Sequence, residues 1–128
     1  MALTPRDPGN DLPWPVELRV NRAEKWMKVS FDNGEAFTLP AELLRVESPS
    51  AEVQGHGPGQ KTVIAGRRHV TILDLEPVGN YAVKIKFDDM HDTGMYSWRY
   101  LYQLGQNRAQ LWQDYLKALE QRGLSREP

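Results

Sequence analysis

Tyr81-Ala82-Val83-Lys84-Ile85-Lys86-Phe87 sets a large apolar side chain at every second position, with Ala82, Lys84 and Lys86 between them. Alternation of this kind makes a strand with one face in a core and one in water, the pattern of an antiparallel sheet rather than a doubly covered parallel one. Asp88 and Asp89 follow as an acidic turn. Upstream, residues 70–77 alternate with one break, and Val78-Gly79-Asn80 turns that segment into the strand at Tyr81. Residues 17–20 and 25–31 read the same way, with Met27, Val29 and Phe31 on the inward face and Trp26, Lys28 and Ser30 outward. Asp32-Asn33-Gly34 then predicts a hairpin into 35–39, because Asn-Gly supplies the positive φ of a tight turn.

Helices fill the gaps between these strands. Pro40 suits the first position of a short helix over 40–45. Ser97 is the predicted N-cap of a second over 98–104, with Gly105 as its C-terminal stop. Asn107 with Gln110 three residues on has the form of a capping box for a last helix over 108–122. Its Leu111, Trp112, Tyr115, Leu116 and Leu119 share one face. The fold class is therefore α+β: one or two small antiparallel sheets, two short helices and a C-terminal amphipathic helix.

Residues 1–16 hold four of the nine prolines and read as an extended arm, with Trp14 and Val16 pinning its end to the core. Residues 17–122 form the domain, and 123–128 are expected to fray. Residues 47–68, with Ser-Pro-Ser and Gly-His-Gly-Pro-Gly, read as a long mobile loop. Lys28-Val29-Ser30-Phe31-Asp32-Asn33 and Lys84-Ile85-Lys86-Phe87-Asp88-Asp89 echo one another. Strands ending in acidic turns are common, so coincidence is the default reading and duplication of a strand–turn–helix unit the alternative.

A chain of 128 residues with 16 basic and 17 acidic side chains and a net charge of −1 offers no general attraction to nucleic acid or anionic lipid. No apolar run approaches the ~20 residues that span a bilayer. The first residues lack the basic-then-apolar pattern of a signal peptide, which makes the cytoplasm the expected compartment. Without cysteine there are no disulfides and no thiolate ligands.

Two stretches carry a family resemblance: Leu44-Arg45-Val46-Glu47-Ser48-Pro49-Ser50-Ala51-Glu52-Val53, and Phe87-Asp88-Asp89-Met90-His91-Asp92-Thr93-Gly94-Met95-Tyr96-Ser97-Trp98. Over residues 18–104 the chain resembles the N-terminal domain of the gamma-butyrobetaine hydroxylases, and more closely the small bacterial proteins that consist of this domain alone. In the family, a Cys-x-Cys-x-x-Cys segment and a histidine after a strand hold a zinc ion. The resemblance places those ligands on Ser48, Ser50, Val53 and His91. Structural zinc wants four thiolate or imidazole ligands, and neutral hydroxyls are poor substitutes. No metal and no cofactor is expected, and His91 is read as a turn residue whose ring bonds to backbone, Asp89 or Asp92. Hydrogen bonds and packing then replace zinc as the clamp between the Ser48 and His91 loops.

Other constellations are thin. Gly55 to Thr62 nearly matches a phosphate-binding loop, but Gln60 stands where the second glycine belongs, and no strand–loop–helix context surrounds it. Arg67-Arg68-His69 with Lys61 is the one basic cluster, without aromatic platforms beside it. None of His56, His69 and His91 begins a His-x-Asp pattern, so the iron triad of the hydroxylases is missing. His91, Tyr96 and Trp98 are the candidate interaction surface. The resemblance implies a non-catalytic accessory module, a monomer or weak dimer, that binds a protein partner in iron or iron–sulfur metabolism. The alternative is a metal-binding protein related to oxidoreductases.

Overall fold

The computed structural model describes residues 3, 12–55, 57 and 59–128. Most of the expected proline-rich arm, together with His56 and Pro58, lies outside these residues. Six strands and four helices follow in the order β1 (Pro15–Asn21), β2 (Trp26–Phe31), β3 (Ala36–Pro40), α1 (Ala41–Val46), α2 (Ala51–Gln54), β4 (Ile72–Val78), β5 (Ala82–Phe87), β6 (Met95–Ser97), α3 (Trp98–Gln106) and α4 (Arg108–Gln121). They form two three-stranded antiparallel meanders, β1-β2-β3 and β4-β5-β6. The fold is α+β.

Alternation places the core. Met27, Val29 and Phe31 from β2 and Val83, Ile85 and Phe87 from β5 are buried in one cluster with Leu43, Leu44 and Leu101 from the helices. Both central strands are therefore amphipathic, and the two sheets share one apolar interior. Val46, Tyr115 and Leu119 form a second, smaller cluster under α4, with Val63, Ile64 and Ala65 packed on it.

The two meanders repeat one another in detail. Each edge strand carries an irregularity near its start, between Pro15 and Glu17 in β1 and between Ile72 and Asp74 in β4. Asp32 and Asp88 each close the strand end with a side-chain and a backbone bond, Asp32 to Trp14 and Asp88 to Thr71. Phe31 N–H donates to Glu35 O at 2.8 Å, and Phe87 N–H donates to His91 O at 3.0 Å. The following helices start alike: Ala41 N–H bonds Lys25 O, and Trp98 N–H bonds Tyr81 O. So many matched bonds, including irregular ones, favour a repeated unit over the coincidence expected from acidic turns alone.

Several expectations need correction. Pro40 ends β3 and caps α1 rather than lying within it. The Asp32-Asn33-Gly34 hairpin forms as expected, closed by Phe31 N–H on Glu35 O, with positive φ at Gly34 and not at Asn33. Gly105 sits inside α3, and a Cβ there would lie 2.3 Å from the Phe37 ring, so glycine serves close approach rather than termination. The Asn107–Gln110 box is not formed, because Asn107 bonds back to Gln103 O and Gln110 bonds Asp114. Val16 is exposed, while Trp14 is buried in the core and Leu3 packs against that core.

The segment after α1 is not a featureless loop: α2 lies in it, and Thr62 N–H bonds Val53 O at 2.6 Å. Nor does the tail fray. Gly123 takes φ 64° in a Schellman cap, where Leu124 N–H bonds Leu119 O and Gly123 N–H bonds Glu120 O. Ser125 and Arg126 carbonyls then accept from Gly66 and Arg68 N–H. Arg126 forks onto Glu42 at 2.7 and 2.9 Å, with its guanidinium over the Trp112 ring. Among the described residues no helix is long and apolar enough to cross a membrane.

Candidate functional site

Helix α1 ends at Glu47, and its next residues turn back under the β5–β6 loop. Ser48 is fully buried there and His91 is only 7% exposed. Ser48 Oγ lies 2.9 Å from His91 Nε2 and 3.2 Å from Ser50 Oγ, which is itself 3.4 Å from Nε2. On the other ring nitrogen, Glu52 Oε2 stands 3.1 Å from Nδ1. A carboxylate at Nδ1 selects the Nδ1–H tautomer and leaves Nε2 as acceptor for the Ser48 hydroxyl. The ring partners are thus Ser48, Ser50 and Glu52. Asp89, expected on the ring, instead accepts the His91 backbone N–H at 3.1 Å.

Asp89 anchors the loop from below. Its Oδ2 accepts from Arg45 Nε and from Arg67 Nε, both at 2.7 Å. Burial by itself would raise the Asp89 pKa, but the bonds from Arg45, the His91 N–H and Arg67 outweigh it and hold the carboxyl below its usual range. His91 is lowered as well, first by burial and then by the Arg45 charge, against the pull of Glu52, Asp89 and Asp92. Arg45 Nη1 is the one buried side-chain polar atom without a partner among the described residues.

Gly94 leaves room for the cluster. A Cβ there would stand 2.4 Å from Ser48 Oγ and 3.1 Å from the Tyr96 ring. Tyr96 is fully buried and its hydroxyl donates to Leu44 O, while Tyr100 donates to Glu47 O at 2.5 Å. Burial drives both phenols well above the ordinary tyrosine range. Trp98 is buried too, its Nε1–H on Asn80 O at 2.8 Å. Tyr96 and Trp98, expected at a surface with His91, therefore belong to the interior. What the loop exposes is Met90, 85% accessible, together with Asp88, Asp92 and Thr93.

The structure brings Ser48, Ser50 and His91 together and buries Val53. These residues do not fit zinc. One imidazole has both nitrogens engaged, the hydroxyls are satisfied by each other and by the ring, valine offers no donor, and a buried guanidinium lies close by. The order hydroxyl–imidazole–carboxylate is that of an activated serine. Ser48 nevertheless has no accessible surface, so no acyl group reaches Oγ in this state. What the arrangement does is clamp: it ties α1 and α2 to the β5–β6 loop.

The sequence offered Glu52 to His91 only as one candidate, with His56 and His69, for a rebuilt metal site; it did not offer Arg45 with Asp89 as a shared anchor, or Gly94. Glu52 had one signal, four residues after Ser48 at helical spacing. Gly94 had none, because its neighbour comes from far away in the chain. The basic cluster is neutralised: Arg67 by Asp89, Arg68 by Glu127, with His69 4.0 Å from the same Glu127. The phosphate-loop near match follows a helix and leads into irregular chain.

The family model described as gamma-butyrobetaine hydroxylase-like, N-terminal, matches residues 18–102. The chain belongs to this family. Among solved structures, two solution NMR structures resemble this gamma-butyrobetaine hydroxylase-like domain closely. One is 48% identical with a TM-score of 0.80, covering 97% of this chain and 92% of its own. The other is 43% identical with a TM-score of 0.79 and 91% coverage of each. A crystal structure of a protein of unknown function, of the DUF971 family from Acidithiobacillus ferrooxidans, is 35% identical with a TM-score of 0.61, covering 71% of this chain and 91% of that one. No curated protein matches.

Proposed function

We propose that this chain is a non-catalytic accessory module, monomeric or weakly dimeric, whose β5–β6 loop binds a protein partner of iron or iron–sulfur metabolism. The observation that carries the reading is Met90. It holds positive φ (72°) although it is not glycine, and it presents an almost wholly exposed apolar side chain at the tip of that loop. A strained, solvent-facing apolar residue costs stability on both counts, and such costs persist where binding recovers them. Methionine is also the side chain that adapts best to a partner surface. The buried clamp beneath, in which His91 follows Met90 directly, ties down the base of the loop. The iron connection rests on the family's association with hydroxylases and cluster-carrying proteins, which is analogy at the level of the domain.

A photo-crosslinking amino acid at position 90, in native cells, tests this. A protein captured from position 90 but not from Lys117 on α4, and carrying iron or a cluster, is the expected result. Identical captures at both positions, or none at 90, would overturn it. The second reading, a metal-dependent oxidoreductase, has no observation in its favour. Purified chain given iron(II), 2-oxoglutarate and trimethylammonium substrates is expected to release no succinate.

A further inference from the structure

Between residues 59–64 and α4 lies a cavity of about 330 Å³, with Val46, Val63, Ile64, Leu111 and Ala118 among its walls. Glu47 also lines it. Its side chain is only 8% exposed, and among the described residues its side-chain partner is Lys61 Nζ at 2.6 Å, whose own side chain is 45% exposed. A carboxylate buried in an apolar cavity demands a cation. Here the cation is delivered on a flexible alkyl stem that comes in from the solvent side. A second carboxylate, Asp114, also lines the cavity and accepts from Gln110 Nε2.

We propose that this cavity is a binding site for primary alkylammonium groups, with Glu47 as the anchor and Lys61 as a tethered occupant that the ligand displaces. The chemistry matches each part of the wall. An ammonium group replaces the Lys61 head on Glu47 with the same charge-assisted hydrogen bond. An unbranched alkyl body takes the place of the lysine stem against Val63, Ile64 and Leu111. An anion meets the Glu47 carboxylate, whose Lys61 partner is already neutralised, and the other cation in the wall, Arg122, is exposed to solvent. Because the site is self-occupied, the intact chain binds weakly, its affinity reduced by the fraction of time Lys61 is seated. The site shares no residue with the Met90 surface, so it stands or falls independently of the partner reading.

The test uses the full chain and n-hexylammonium as probe, with n-hexanoate and n-hexanol as controls. Lys61→Ala is expected to lower Tm by leaving Glu47 bare, and hexylammonium is expected to restore it. The same variant should bind hexylammonium at least ~tenfold more tightly than the wild type, with NMR shifts at the Val63, Ile64 and Leu111 methyls. Neither control should do this, and Glu47→Gln in the Lys61→Ala background should abolish the response. If Lys61→Ala does not fold, Lys61→Met, which keeps the stem, is read in its place. No rescue by hexylammonium, equal rescue by hexanoate or hexanol, or rescue that survives Glu47→Gln would each overturn the proposal.

Discussion

The two meanders share one plan and have filled it with different chemistry. At the turn of the first half Gly34 holds φ 88°, and Met90 holds φ 72° at the matching place in the second. Glu35 and His91 occupy the same backbone position, yet Glu35 is exposed while His91 is buried. Helix α3 crosses to the first half, where Tyr102 bonds Glu35 and Asn33. Helix α1 crosses to the second, where Arg45 bonds Asp89. Close approach is solved in opposite ways: Gly105 on the helix makes room for Phe37 on the strand side, and Gly94 on the strand side makes room for Ser48 after the helix. One contact is an aromatic cluster of Phe31, Phe37 and Tyr102; the other is a buried polar network. The difference teaches that backbone plan and side-chain chemistry are separable here, and that the second turn has been specialised.

The largest expected effect comes from the element with no counterpart in the repeat. Ending the chain after Gln106 removes α4, with buried Tyr115 and Leu119, and the Arg126–Glu42 fork. At ~1.5–3 kcal/mol per large apolar side chain, urea unfolding should show a loss of at least about 3 kcal/mol, or no cooperative transition. A truncated chain of unchanged stability but altered oligomeric state would assign the helix to an interface instead.

Next come the two glycines. Gly105→Ala drives a Cβ into an aromatic ring locked by two others, and should cost towards the upper end of the ~1–3 kcal/mol of overpacking. Phe37→Leu in the same chain should recover part of it. Gly94→Ala meets one atom closely, the Ser48 hydroxyl, with the Tyr96 ring and Pro49 only tight at 3.1 and 3.3 Å, and should cost less, with the loss seen also as displaced His91 ring resonances. Equal costs would show that the two crossings are mechanically alike.

His91→Ala leaves the Ser48 and Ser50 hydroxyls buried without the ring, at a cost of about 1–3 kcal/mol, whereas Glu35→Ala should leave stability nearly unchanged. The sign with pH follows from the lowered His91 pKa. A depressed folded value means stability is fully present above the unfolded 6.5 and is lost as pH falls through the folded value. Wild type should therefore lose Tm on acidification below 6.5 more steeply than His91→Gln. The smallest effect is Met90→Gly, expected to gain up to about 1 kcal/mol by relieving positive φ, while Gly34→Ala loses a similar amount.

Local patterns carried much of this molecule. Alternation in 81–87 and 25–31 placed both central strands, and Ser97 capped α3 through Tyr100 N–H as its residue type predicts. The echo between the halves was visible as three identities, Lys, Phe and Asp, in six aligned positions, but its weight came from bonds to Trp14 and Thr71 that no local window contains. β6 escaped notice because three residues are too few to show a period. The tail was expected to fray because its order depends on Glu42, far away in the chain. At the clamp, the resemblance pointed to Ser48, Ser50 and His91, and Glu52 stood beside them only as a candidate metal ligand; its bond to the ring and the need for Gly94 became legible once the loops were side by side.

The crossing helices have a consequence for synthesis. Each half is finished by a helix that belongs to the other, and 67 residues separate Glu35 from its partner Tyr102. At roughly 5–20 residues per second on the ribosome, the first turn emerges ~3–13 s before the helix that seals it. The N-terminal meander must wait in that interval with Phe31 and Phe37 uncovered, so a pause placed between codons 55 and 95 should raise the demand for chaperone holding, and a pause after codon 106 should not.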